Sequence, residues 1–331
     1  MNSGSRKNFR LNTITSFLFA VCCIAVAGCS SDPPAPANPG FSGLAARSNR
    51  VVAVAYPLAY LSERLLEETG VSVEFPGAGS DSPGNWQPPA DAVTEMQSAD
   101  LVITNGPGVP YAQWLTRVTL ARKKTCVSAA DLPTADFITV NDHKIVHRHG
   151  PEGEHSHPYM VPYSWLDPAV ALRQARKIAT DLIATYPDHQ ESIERNLESL
   201  AEDLDSLSAK LDATKPGEQV SVMSANPNLK FLTRAAGLND VHLLWLDEIP
   251  EEPLEEVHAK VLAATGAGQP DLRWLEAGRP RVMLWPSSLG PVPEIEGWLP
   301  VEIDLLDRRP STGDYLSVMD DNIEQLVSRL N

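Results

Sequence analysis

The sequence predicts an α/β protein of two lobes, each with a mostly parallel sheet flanked by helices, joined by one long helix. Three observations carry this. Short apolar runs alternate with helical patterns between residues 50 and 185, the rhythm of strand, helix and parallel strand. The same alternation returns after residue 215. Between them, Ile193, Leu197, Leu200, Leu204, Leu207 and Leu211 recur at steps of four and three, one narrow apolar stripe on a long helix.

In chain order, Val51-Val52-Ala53-Val54-Ala55 reads as a buried strand, and Leu58, Leu61 and Leu65 mark one face of a helix ending near Gly70. Val71, Val73 and Phe75 alternate as the next strand. A helix from about Ala90 precedes the strand Leu101 to Thr104, and another, Tyr111 to Arg122, precedes the strand Thr125 to Ser128. A further strand is expected at Phe137 to Val140, closing a first lobe of residues 50–185. Asp167-Pro168 starts that lobe's last helix, an N-cap followed by proline at the first helical position, running to about Thr185. The striped helix lies in a connector spanning 186–214. A coiled coil is the alternative reading of its stripe, but the segment is too short to be independent.

Pro216-Gly217 ends the connector and opens the second lobe, 215–331. There Val220 to Met223 reads as strand, Leu229 to Ala236 as helix stopped by Gly237, and Leu254 to Ala264 as helix. Arg281 to Trp285 and Val301 to Asp304 read as strands, and Tyr315 to Leu330 as the closing helix. Ligands of such sheets gather at the carboxyl ends of the strands, in the loops.

The amino terminus carries Arg6, Lys7 and Arg10 without an acid, and then a mostly apolar run ending Val26-Ala27-Gly28-Cys29. This is the pattern of a secretory signal. The cysteine directly after Ala-Gly resembles a bacterial lipoprotein signal of residues 1–28, implying cleavage before Cys29 and acylation of its thiol. An ordinary signal peptide or a membrane anchor is the alternative, although the apolar run is short for a spanning helix. Residues 29–49, rich in Ser, Pro, Ala and Gly, read as a flexible tether. The expected location is the cell envelope, lipid-anchored and facing the periplasmic side.

Cys22 and Cys23 would leave with the signal and Cys29 would be lipidated, so the mature body keeps Cys126 alone. That excludes an internal disulfide and a cysteine zinc site. Losing three cations and no acid also takes the net charge from −16 to −19. Such a body repels nucleic acid and attracts cations.

Five of the eight histidines fall in one window, His143, His147, His149, His155 and His157, set among carboxylates and breakers. Neutral imidazole is the commonest side-chain metal ligand, and His-x-His pairs bring two ring nitrogens within reach of one ion. Gly150, Pro151 and Gly153 favour a turn that folds one pair back on the other. The competing reading is a solvated polar loop that binds metal incidentally. His189, His242 and His258 stand alone, where a surface or core role is the simpler reading. The tryptophans read as packing residues, and Cys126 as a buried apolar filler.

Several stretches together resemble the solute receptors of zinc and manganese ABC importers, whose two α/β lobes are joined by a rigid long helix. They are Tyr56-Pro57-Leu58-Ala59-Tyr60, Ala99 to Gly106, Trp165-Leu166-Asp167-Pro168, the leucine-striped connector, Gly237-Leu238, and Val301-Glu302-Ile303-Asp304. The resemblance spans nearly the whole mature body, and places Trp86 and Trp165 near a cleft. It implies a metal held there by a histidine after the second strand, one before Trp-Leu-Asp-Pro, one after the first strand of the second lobe, and a late acid. At those places this chain has Asn85 or Trp86, Tyr163 and Asn226; Asp304 alone fits.

Two accounts follow from the resemblance. In the first, His147, His149, His155 and His157, with His143 upstream, fold into the cleft and replace the missing ligands, and Asp304 completes or neutralises the site. In the second, the cleft has lost its ion and the loop collects metal loosely near the membrane, as a buffer, scaffold or adhesion lipoprotein. The first is favoured, because paired His-x-His motifs and the acid are easier to explain if a site remains. Imidazole-rich ligation suits zinc, with manganese second. The implied partners are a divalent ion, an inner-membrane ABC permease and the membrane through the lipid, with the protein a monomer. A zinc-dependent hydrolase is a weaker alternative: the chain has no His-Glu-x-x-His, Gly-x-Ser-x-Gly, Gly-x-x-x-x-Gly-Lys or Gly-x-Gly-x-x-Gly motif, so capture rather than catalysis is expected.

Overall fold

Valine-rich and β-branched runs bounded by turn residues form the strands. The computed structural model describes residues 48–106, 111–121, 125–133, 136–148, 154–213, 220–238, 241–243, 281–292 and 298–330, with the backbone alone described for 141–148, 154–158, 221 and 241–243. The chain divides into Met1–Leu44, which includes Cys29 and lies outside the described residues, and a body Ala45–Asn331.

The first lobe begins with β1 (Arg50–Ala53) and α1 (Tyr56–Leu65), the latter carrying a proline in its first turn. β2 (Ser72–Glu74), α2 (Ala90–Ser98), β3 (Leu101–Thr104) and β4 (Thr125–Val127) follow. The strands form a parallel sheet in the order β2-β1-β3-β4, with Val51 opposite Val73 and Leu101, and Ile103 opposite Cys126. Val51, Val52, Ala53, Ile103 and Cys126 are fully buried, as expected of strands covered on both faces.

Two first-lobe expectations are corrected. The segment after Tyr111 is a short 3-10 turn, Gln113–Arg117, rather than a helix reaching Arg122. Ala112 sits in the left-handed region (φ 53°), and the β-branched Thr116, Val118 and Thr119 weaken helix continuation. The strand expected at Phe137 to Val140 belongs to no parallel sheet. It is the base of a separate two-stranded antiparallel ribbon, β5 (Thr139–Arg148) with β6 (Glu154–Met160), which carries the histidine window.

α3 (Pro168–Thr185) starts as its N-cap dictates: the Asp167 carboxylate accepts from the amides of Ala169 (3.0 Å) and Val170 (3.3 Å). α4 (Gln190–Asp212) is the striped helix, with Ile193, Leu200, Leu204, Leu207 and Leu211 buried. It packs against α1, α3 and the closing helix, so its apolar stripe is consumed by both lobes rather than by a coiled-coil partner.

The second lobe contains β7 (Ser221–Ser224), α5 (Lys230–Ala235), β8 (Val241–Leu243), β9 (Arg281–Pro286), β10 (Leu299–Ile303) and α6 (Tyr315–Leu330). Its sheet is parallel in the order β10-β9-β7-β8. The helix expected at Leu254 to Ala264 and the stop at Pro216-Gly217 lie outside the described residues.

Candidate metal centre

Parallel strands send their carboxyl ends to one side, and the segments leaving those ends build the cleft. The first lobe contributes Asp81, Ser82, Gly84 and Asn85 after β2, Tyr111 after β3, and Tyr159 and Tyr163 around the end of β6. The second contributes Ser288 after β9 and Asp307 after β10. Together they surround about 420 Å³. A larger recess of about 680 Å³ shares Gly84, Asn85 and Tyr111 but is lined by first-lobe residues alone. The smaller one is where both lobes meet.

Its floor is aromatic and acidic. The rings of Tyr111, Tyr163 and Trp165 pack edge-on in a triangle, with centroids 6.2, 5.4 and 5.5 Å apart. The Tyr163 hydroxyl donates to Asp307 Oδ2 at 3.3 Å. Tyr111 is pressed against Gly84, where an added Cβ would come within 3.0 Å of its ring. The Tyr111 hydroxyl is buried without a formed hydrogen bond, yet it lies near enough to Asp307 for each group to shift the other's proton affinity. The two groups are neighbours, not a bonded pair. The Asp307 carboxyl stands raised at about 6: burial is the chief cause, the Tyr163 and Tyr111 hydroxyls and Arg308 oppose it, and the nearby Asp304 charge adds to it. Burial and the same carboxylate push both phenols well above their ordinary range.

Asp304 is placed differently. β10 ends at Ile303, and the Asn322 side chain takes the Asp304 amide and carbonyl, each at 2.9 Å. Asp304 Oδ1 accepts from the Leu306 amide at 2.7 Å, and its side chain is exposed. Leu306, buried and left-handed (φ 59°), then reverses the chain and delivers Asp307 to the cleft. A leucine held in that region is strained, a condition that collects at ligand sites. Asp307 and Tyr111 were thus missed by sequence reasoning. The signal available was the second acid of Asp304-Leu305-Leu306-Asp307; Tyr111 carried none.

The three positions where the resemblance implied histidines differ in exposure and role. Asn85 is exposed at the rim and donates to Ser82 Oγ at 3.1 Å. Tyr163 stands in the cleft. Asn226, nearly buried, caps the turn Pro227–Leu229 by accepting from the Asn228 amide at 3.1 Å. Trp86 packs edge-on against Trp114, with centroids 5.3 Å apart. Among the described residues, no three His, Cys, Asp or Glu side chains form a metal-holding group.

The histidine window is resolved at the level of backbone register. His147 is paired directly with His155, and Ile145 with His157. Opposite residues of an antiparallel pair share a face, and alternate residues of one strand do too. His147, His155 and His157 therefore occupy positions on a single face of the ribbon. On β6 that face is also the face of Tyr159, whose hydroxyl crosses to the second lobe and donates to Asn228 Oδ1 at 2.7 Å. His143 falls in the irregular stretch between Val140 and Lys144, where the register shifts. His149 lies outside the described residues.

Residues 51–267 match the family described as zinc-uptake complex component A, periplasmic (ZnuA). The high-affinity zinc uptake system protein ZnuA of Bacillus subtilis is 25% identical over 257 residues, 74% of this chain and 75% of the relative. The iron-binding protein YfeA of Yersinia pestis is 26% identical over 175 residues, 52% of this chain and 51% of the relative. The crystal structure of the metal-dependent lipoprotein YcdH of Bacillus subtilis superposes with a TM-score of 0.62 at 16% identity, covering 85% of this chain and 98% of that one. That likeness shows the two-lobed fold. With the matched segment running through both lobes, the chain belongs to the ZnuA family of periplasmic solute receptors for metal uptake.

Proposed function

We propose that this protein captures zinc outside the inner membrane and passes it to an ABC permease, with the first grip on the ion made by the ribbon imidazoles. One observation carries the reading: the register that sets His147, His155 and His157 on one face, the face of Tyr159 at the cleft. Directly opposed positions stand roughly 5 Å apart at Cβ and diagonal ones about 7–8 Å, within the span of three imidazoles around one ion. His143 precedes this trio in sequence and His149 lies within it.

Spacing decides how the cleft acids enter. At about 3.4 Å per residue, position 157 lies about 7 Å and position 155 about 14 Å from Tyr159. An ion on the His147–His155 pair is therefore beyond reach of Asp304 and Asp307 while the ribbon stays extended. We place the bend that this requires at the ribbon's base, at the register shift between Val140 and Lys144, opposite Pro158, which has no amide to donate. Folding there brings the loaded face over the cleft, where Asp307, with Asp304 behind it, neutralises the ion's charge.

We further propose that lipidated Cys29 anchors the body to the membrane as a monomer. Zinc is favoured over manganese by the imidazole supply, and the role proposed is capture. Among the described residues no helix is long and apolar enough to cross a membrane. Calorimetric titration of the tag-free protein with zinc should show stoichiometric binding that disappears when His147, His149, His155 and His157 are changed to alanine. Unchanged affinity in that variant would refute the ribbon's role, and no binding by the wild type would return the protein to a scaffold.

A further inference from the structure

The cleft floor presents a donor set unlike the ribbon's. We propose that Tyr111, Tyr163 and Asp307 form an all-oxygen metal site, sharing only Asp307 with the zinc reading and suited to a hard trivalent cation, ferric iron being the accessible example. The inference rests on the reading of the chain as a metal receptor, but on none of its histidines.

Three observations converge on it. Tyr111 is 9% exposed, lines the cleft, and its hydroxyl has no formed hydrogen bond, a costly state for a buried phenol that a bound ligand would relieve. Tyr163 already brings its hydroxyl to 3.3 Å from Asp307 Oδ2, so two of the three oxygens converge before any ion arrives. The third observation is rigidity. Gly84, Trp165 and Tyr163 hold the Tyr111 ring, and Asp307 follows the buried, left-handed Leu306, so the donors are fixed rather than gathered. The fourth cleft phenol, Tyr159, is committed to Asn228 and is not counted.

Charge and softness select the ion. Two phenolates and one carboxylate carry three negative charges, which a trivalent ion balances and a divalent ion does not. Anionic oxygen is a hard donor, whereas zinc prefers nitrogen and sulfur; tyrosinate is a known ligand of ferric haem iron. Binding is a ligand exchange without electron transfer. Each phenol O–H breaks as its oxygen bonds the metal, two protons pass to solvent, and the carrier chelator leaves with its own donor oxygens.

The test uses ferric nitrilotriacetate added to the full mature protein, read by the visible charge-transfer band that a phenolate–iron(III) bond produces. The band should saturate at one iron per chain. Tyr111→Phe, Tyr163→Phe and Asp307→Asn should each weaken apparent affinity at least about tenfold, as even outer partners of metal ligands do. Phenylalanine keeps the ring packing, and thermal melts verify folding. The four-histidine alanine variant should keep the band. No band in the wild type, or an undiminished band in the double phenylalanine variant, overturns the proposal. Zinc calorimetry on the same samples separates the readings: zinc bound without an iron band removes this site alone, and neither metal bound removes the receptor reading as well.

Discussion

Asp307 is the residue on which the cleft's electrostatics turn. Its carboxyl is raised from 3.8 to about 6, chiefly by burial, so between those values the folded protein holds a proton that the unfolded chain releases. Stability of the metal-free protein should therefore fall as pH rises through that window, by about 3 kcal/mol in all. Asp307→Asn should flatten this slope and gain most of that amount at neutral pH, read by denaturant unfolding at several pH values. An unchanged slope would mean that Asp307 is not the buried acid. The neighbouring Asp304 illustrates what a motif can hide. It fits the expected sequence position, but Asn322 and Leu306 take its backbone and one carboxylate oxygen, leaving the cleft to a residue three places on. Motif spacing counts residues along the chain, whereas a left-handed leucine decides which of them turns inward.

Among the elements, the leucine-striped helix was the most legible and remains the mechanical centre. Leu204 is fully buried in α4, between the lobes it joins. Leu204→Ala should cost about 2–5 kcal/mol, through lost transfer energy and the cavity left behind, and should lower the melting temperature without altering zinc stoichiometry. The parallel strands were legible too, because short apolar runs such as Val51-Val52-Ala53 are what strands covered on both faces require. The expected fold-back of the histidine window agrees with the register that sets His147 opposite His155, but the strand character of its two arms was not read, although His-x-His at 147/149 and 155/157 has the period of two that belongs to a strand. The segment after Tyr111 failed for the opposite reason. Its apolar spacing suits a helix, but a left-handed Ala112 and β-branched neighbours hold it to one tight turn.

Across the whole molecule, the lobes are tied by more than the long helix. Trp165 Nε1 donates to the Leu305 carbonyl at 3.0 Å, and the Tyr315 hydroxyl donates to the Trp165 carbonyl at 2.6 Å. Arg234 of α5 pairs with Asp167 at 2.9 Å, and Tyr60 of α1 donates to Asp314 at 3.0 Å. Arg309, from the segment after β10, pairs with Glu63 of α1. Opening a hinge would break buried members of this set, each costly to leave unpaired. Capture should therefore proceed by movement of the ribbon. Small-angle scattering profiles of free and zinc-loaded protein should coincide apart from a small local change, and a marked compaction would contradict the account. The central claim, that ribbon imidazoles rather than inherited cleft side chains grip the ion, is tested most directly by zinc-edge X-ray absorption of the stoichiometrically loaded protein. The first shell should be dominated by histidine nitrogen; a shell of oxygen alone would mean that the ribbon does not hold the ion.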